Sequence, residues 1–275
     1  MTVRILHLSD PHFGTERDDA VAAVRTAAQR LVPDLVVLSG DITQRARDAQ
    51  FAAAGRFMAS LGDAPVLAVP GNHDIPLFNL PLRLVDPFRG YRAHFGPVPP
   101  PPRHVDRIVV SGLVSCPAWR HKNGSLNPAA LAGAPPGGDA LFSVAVLHHP
   151  LDCRLPEDEH NLLRGAGKAV RALCGRGVDL VLGGHIHDPY VSTTAARYPD
   201  VTAPAVLALA GTCVSRRTRR GIPNSFNLIR FEHQTGAILT VERHDYDETE
   251  RRFRLAASLR FVRGGCGGWS ELAWL

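Results

Sequence analysis

Five short groups of carboxylate, amide and imidazole side chains are the residues of this chain best suited to chemistry. They are Asp10-Pro11-His12, Gly40-Asp41, Gly71-Asn72-His73-Asp74, His148-His149-Pro150 and Gly184-His185-Ile186-His187. From them Asp10, His12, Asp41, Asn72, His148, His185 and His187 offer three oxygen ligands and four imidazoles. A mixed nitrogen and oxygen set suits Mn, Fe, Co, Ni or Zn better than Mg or Ca. Seven ligands exceed the needs of one tetrahedral ion. They match two ions that share a bridging carboxylate and keep positions open for water and substrate.

Each group follows an apolar run of strand length. Residues 3–8, 34–38, 65–69, 142–147 and 178–182 read as buried strands, with further strands expected at 108–114, 205–210, 226–231 and 238–243. Helical periodicity marks 17–31, where Val21, Val24, Ala28 and Leu31 share a face, and 46–61, where Phe51, Ala54, Met58 and Leu61 do. A third helix is expected over 161–174. This β-α-β-α-β order predicts parallel strands with right-handed crossovers. In such α/β folds ligands gather at the carboxyl ends of strands, so the five groups should converge.

Residues 76–104 break the pattern. Pro76, Pro81, Pro87 and the run Pro99-Pro100-Pro101-Pro102 predict a loop-rich excursion with one short helix near 88–95. The last two strands should be joined by a turn at Gln234-Thr235-Gly236. One domain over residues 1–263 is expected, with the glycine-rich stretch from Gly264 opening a flexible tail over 264–275.

Composition narrows the class. The chain has 275 residues, 45% hydrophobic and 21% charged, which excludes a disordered polyampholyte. The 25 glycines and 22 prolines are scattered, which excludes collagen-like and low-complexity classes. The longest uncharged apolar stretch, 203–215, is too short to span a bilayer, so no membrane association is expected. The five cysteines are odd in number and form no CxxC pair, which argues against a disulfide framework or a thiolate zinc site. With no signal ahead of the first strand, the expected compartment is the cytoplasm. The net charge of +5 suits an anionic substrate.

Taken in order, D-x-H, G-D, G-N-H-D, H and G-H-x-H resemble the calcineurin-like metallophosphoesterase superfamily, and in particular its bacterial class III cyclic-nucleotide-type phosphodiesterases. The motifs run from Asp10 to His187, about two-thirds of the chain. The resemblance implies a four-layer α/β/β/α sandwich with the metal site at the strand C-terminal ends. It implies one metal on Asp10, His12, Asp41 and His187 and a second on Asp41, Asn72, His148 and His185. It makes His73 the transition-state stabiliser or leaving-group acid, oriented by Asp74, and leaves His149 a supporting residue. The implied reaction is hydrolysis of a small-molecule phosphodiester, cyclic nucleotides among them, by a hydroxide bridging the two metals.

Other readings have their own residues. The second motif, Gly40-Asp41-Ile42-Thr43-Gln44-Arg45, lacks the GDxVDRG of the serine/threonine phosphatases of this fold. His73 stands where the lipid A pathway hydrolases carry arginine. A nuclease acting on DNA or RNA would use Arg216, Arg217, Arg219 and Arg220, a cluster that equally reads as a solvated loop. A non-catalytic scaffold would have lost metal ligands, and here every position is filled. Arg120, His121, Lys122 and Asn123 are placed to reach the cleft mouth; Tyr91, Arg92 and His94 read as packing or capping groups. The excursion and the strand edges of the C-terminal half leave a homodimer open.

Overall fold

The computed structural model describes residues 2–132, 141–219, 221–233, 237–265 and 267–272. In chain order the first elements are β1 (Thr2–Leu8), α1 (Asp18–Leu31), β2 (Leu35–Leu38), α2 (Asp48–Ala59) and β3 (Val66–Ala68). The proline-rich excursion holds α3 (Leu80–Val85), α4 (Arg89–Phe95) and β4 (Arg103–Val105). Next come β5 (Ile108–Gly112), α5 (Pro128–Ala132), β6 (Phe142–Val146), α6 (Ala166–Gly175) and β7 (Leu180–Gly183). The chain then turns to strands: β8 (Tyr190–Thr193), β9 (Val206–Leu209), β10 (Ser225–Glu232), β11 (Ile238–Asp247), β12 (Arg252–Arg263) and β13 (Trp269–Glu271).

Two sheets result. The first runs β13-β12-β11-β10-β1-β2-β3 and the second β4-β5-β6-β7-β9-β8. β1, β2 and β3 are parallel, as are β5, β6, β7 and β9. Strand alternation assigns side chains to layers. Ile5, Leu35 and Val37 meet Val144, Leu182 and Phe231 between the sheets. Leu6, Leu8, Val36 and Leu38, one residue out of phase, pack on Val24 of α1 and Phe51 of α2. Ala145, Val181 and Leu207 of the second sheet cover Val170 and Leu173 of α6. Helices, two sheets and helices form the expected α/β/β/α sandwich, and the loops after the parallel strands of both sheets open onto one edge.

Several expectations need correction. Within the stretch read as a tail, β13 pairs with β12, and Trp269 is buried between Phe142 and Arg263 with its Nε1 donating to Asp179 (3.0 Å). A buried indole anchors a segment that glycine content alone marks as mobile. The twelve-residue β12 carries no clear apolar strand pattern in the sequence, because Arg252, Arg254 and Arg260 stand beside the buried Phe253 and Phe261. The helix expected from 161 begins at Ala166, after Gly165 turns the chain with a φ of 77°. The turn expected at Gln234-Thr235-Gly236, and with it Arg220 and Cys266, lies outside the described residues. Cys116, Cys153, Cys174 and Cys213 are buried free thiols.

Candidate active site

The five motifs meet at the shared edge. Asp10 and His12 leave β1, Asp41 leaves β2, and Asn72–Asp74 form a single 3-10 turn after β3. His148 follows β6, and His185 and His187 follow β7. Tight loops carry them. Asp10, His12, Asp41, His185 and His187 all have positive φ, between 46° and 74°. Non-glycine residues in this region cost about 1 kcal/mol or more each, a strain that clusters at functional sites. Gly40, with a φ of 98°, lets the backbone pass close to His148: a Cβ there would lie 2.5 Å from His148 Nδ1.

Ligand-type atoms of Asp10, His12 and His187 lie within 4.8 Å of one another, as do those of Asp10, Asp41 and His148 and those of His12, Asp41 and His73. The carboxylates face imidazole nitrogens directly. His187 Nε2 is 3.2 Å from Asp10 Oδ1, and His148 Nε2 is 3.3 Å from Asp41 Oδ1.

Three histidines are aimed by the same device. His148 Nδ1–H donates to the Ser39 carbonyl (2.9 Å), His187 Nδ1–H to the Arg217 carbonyl (2.6 Å) and His73 Nδ1–H to the Gln44 carbonyl (2.9 Å). A carbonyl only accepts, so each bond fixes the tautomer and turns Nε2 inward. His149 is different. Its Nε2–H donates to Lys122 O (2.8 Å) and its Nδ1 accepts from Ser115 Oγ (2.9 Å), so neither nitrogen is free for an ion.

The expectation that Asp74 orients His73 is corrected. The Asp74 carboxylate is buried and accepts from the N–H groups of Ile42 (3.0 Å), Thr43 (2.8 Å) and Gly71 (2.9 Å) and from Thr43 Oγ1 (2.9 Å). It ties the loop after β2 to the loop after β3, and the Gln44 carbonyl takes the role expected of it. Burial and the nearby Asp41 charge push Asp74 up to about 7, against the pull of those N–H groups.

Electrostatics follow from burial with close countercharge. Burial would raise Asp41, but His148, His73 and His12 hold it well below the usual carboxylate range. Burial would lower His148, but Asp41 and Asp10 raise it to about 9. His12 is brought down to about 3 by burial, and His185 falls well below the ordinary imidazole value through burial beside His149 and His148.

Among the candidate ligands, Asn72 Oδ1 and His185 Nε2 are buried without a hydrogen-bond partner. Ring nitrogens also confront each other: His12 Nε2 and His187 Nε2 at 3.0 Å, His148 Nε2 and His185 Nδ1 at 3.2 Å. With the Nδ1–H of His148 and His187 committed to carbonyls, their inward lone pairs need a proton or a cation between them. An orphaned amide oxygen, opposed imidazoles and two carboxylates fit a metal centre.

Above the cluster lies a cavity of about 670 Å³. His73 and Asn72 form part of its floor, and Arg45, Lys122, Arg217 and Arg219 line it. Of the residues placed near the mouth by sequence, His121 and Lys122 reach it, while Arg120 and Asn123 do not. Arg219 pairs with Asp158 and reaches the Ile186 carbonyl (3.4 Å), which steadies the loop carrying His185 and His187. Arg216 points away, toward the Glu16 carbonyl. Tyr91 is buried with its hydroxyl on Ala68 O (2.7 Å), His94 meets Asp48 and Arg92 meets Asp86, so all three pack or cap.

Gln44, Ser9 and Ser39 were missed as site residues. A backbone carbonyl carries no sequence signature, which hid Gln44. Ser9 and Ser39 had one: in Leu8-Ser9-Asp10 and Leu38-Ser39-Gly40-Asp41 a serine ends the strand just before the aspartate motif.

The chain belongs to the calcineurin-like phosphoesterase family, whose sequence profile matches residues 3–189. This is a superfamily of metal-dependent phosphoesterases with dinuclear centres. No curated protein sequence matches the chain. Among solved structures it is similar to the purple acid phosphatase PPD1 of yellow lupin (Lupinus luteus), with a TM-score of 0.66 at 13% identity over 97% of this chain; this chain spans 55% of the lupin enzyme's length. It is similar also to a dimetal phosphatase from Danio rerio (TM-score 0.61, 13% identity, 94% of this chain and 98% of that one). Vacuolar Protein Sorting 29 from Cryptosporidium parvum shares the fold at a TM-score of 0.51, with 13% identity over 95% of this chain and 98% of that one. At these identities the likeness concerns the fold. No helix of the described residues is long and apolar enough to cross a membrane.

Proposed function

We propose that this chain is a dinuclear metal-dependent phosphodiesterase acting on small-molecule diesters, cyclic nucleotides among the candidates. The observation that supports the reading is the clustering of Asp10, His12, Asp41, His148 and His187 beneath one cation-lined cavity, whose lining includes His12, Asp41, Asn72, His73, His185 and His187. Asp10, His12, Asp41 and His187 would hold one ion. Asp41, Asn72, His148 and His185 would hold the other, with Asp41 shared. When bound, such ions supply Lewis-acid activation of water and relief of phosphoryl charge.

The chain's own groups do the rest. Arg45 and Lys122, with no ion pair among the described residues, draw an anionic ester into the cavity. His73, its Nδ1–H held by the Gln44 carbonyl, presents Nε2 to the cavity. As the phosphorus–oxygen bond to the leaving alcohol breaks, a proton held at Nε2 passes to that oxygen. A cyclic diester would yield one product carrying both the monoester and the alcohol. Among the described residues, no phenylalanine, tyrosine or tryptophan lines the cavity as a stacking platform for the bases of a nucleic acid strand.

The test compares bis-p-nitrophenyl phosphate with p-nitrophenyl phosphate, using protein stripped of metal and then reconstituted with Mn²⁺. Metal-dependent cleavage of the diester in clear excess over the monoester is expected. Preference for the monoester would move the assignment to a phosphatase, the activity named for the lupin and Danio rerio proteins.

A further inference from the structure

We infer that Arg217 is the residue that grips the phosphoryl group, with its guanidinium on a non-bridging oxygen of the substrate and Gln44 holding it ready. This rests on the reading of the cavity as a phosphate ester site. Arg217 lies on the loop after β9, and its two ends serve the site separately. Its carbonyl fixes His187, as described above. Its guanidinium crosses the cavity to the opposite wall, where Nη1 donates to Gln44 Oε1 (3.0 Å) and lies 3.3 Å from both His73 Nε2 and His12 Nδ1.

Lys122, Arg45 and Arg217 all lack a carboxylate partner among the described residues, but position separates Arg217 from the other cavity-lining cations. Arg219 is neutralised by Asp158, and Arg45 sits 5.7 Å over the exposed ring of Phe78. Among the described residues the Arg217 guanidinium has no carboxylate partner, and its one contact of ordinary hydrogen-bond length is to the neutral Gln44 amide. It alone of the arginines touches both His73 and a candidate metal ligand. A cation kept unpaired beside the reacting position is suited to an anion that arrives later, and a guanidinium fork matches phosphoryl oxygens.

The experiment measures inorganic phosphate binding by calorimetry on Mn²⁺-reconstituted protein, with metal content per chain determined for each variant. Arg217→Gln should weaken phosphate binding about 10–100-fold, the scale of a charge-assisted hydrogen bond, with two metals retained. Arg217→Lys should fall between. Arg216→Gln, which removes the same charge from the same loop outside the cavity, should bind as wild type, and kcat/KM for the diester should follow the phosphate affinities. Phosphate binding by Arg217→Gln equal to wild type overturns the inference and leaves the phosphoesterase reading intact. Loss of metal with loss of phosphate also overturns it, because Arg217 would then act on the ligands. A metal-loaded wild type that neither binds phosphate nor hydrolyses either ester overturns the parent reading as well.

Discussion

His7 and Asp10 are three residues apart, yet the hydrogen-bonded path between them leaves their strand and returns. His7 Nε2–H donates to Ser39 Oγ on the loop after β2 (2.9 Å), Ser39 Oγ donates to Ser9 Oγ (2.8 Å), and Ser9 Oγ donates to Asp10 Oδ2 (2.6 Å). Every member is fully buried. Burial brings His7 down to about 3, so the ring is neutral, with Nδ1 turned to the Asn227 amide (3.4 Å). All donors point one way, so each bond polarises the next. Oδ2 also accepts the His185 N–H (3.0 Å), which leaves Oδ1 for His187 and the candidate metal.

Ser9→Ala breaks this path at its last step without removing a ligand. Metal affinity should fall about 10–100-fold, the usual effect of losing a bond that orients a ligand. Competition with a chelating dye reads this directly. Affinity equal to wild type would show that the His185 N–H alone suffices to set the carboxylate.

Asp41→Asn strikes the residue placed to serve both ions, and it also receives the His73 N–H (2.8 Å). Both metals should be lost or bound weakly, with turnover nearly abolished. Elemental analysis after dialysis is the measurement, and retention of two tightly held ions would refute the shared-carboxylate assignment.

His73→Ala should keep both metals and the fold while turnover falls about 10²–10⁴-fold, the scale of a general acid. Diesters with poor leaving groups should suffer most, since p-nitrophenolate departs with little need of a proton. An unchanged rate on an alkyl diester would remove His73 from the chemistry.

Asp74→Ala should behave as a stability variant. It leaves the buried N–H groups of Ile42, Thr43 and Gly71 without their acceptor, at a cost of about 3 kcal/mol or more. Chemical denaturation should show the loss. A variant as stable as wild type but slow in turnover would instead restore Asp74 to a role through His73.

Trp269→Ala tests whether the C-terminal strand belongs to the fold. Removing an indole packed on Phe142 and bonded to Asp179 should cost about 3–5 kcal/mol in the same denaturation assay. A negligible change would return the segment to the tail that its glycines predicted.

Residue types and their spacing along the chain specify the chemistry on offer and the elements that carry it. Strand-length apolar runs ending in Asp10, Asp41, His148 and His185 are legible because hydrophobic periodicity and ligand type are properties of single residues and their spacing. So is the layered α/β/β/α arrangement, through the family motifs those runs display. Tertiary structure alone decided which atoms face which. Ser39, Gln44 and Arg217 aim His148, His73 and His187 through backbone carbonyls, which look the same in every residue, and they do so across loops from different strands. Asp74 passed from an orienter of its neighbour to a clamp between two loops because its partners, Ile42 and Thr43, lie about thirty residues away and meet it only once β2 and β3 pair. Trp269 anchors a glycine-rich end for the same reason: Asp179 and Phe142, which hold it, come from the other sheet.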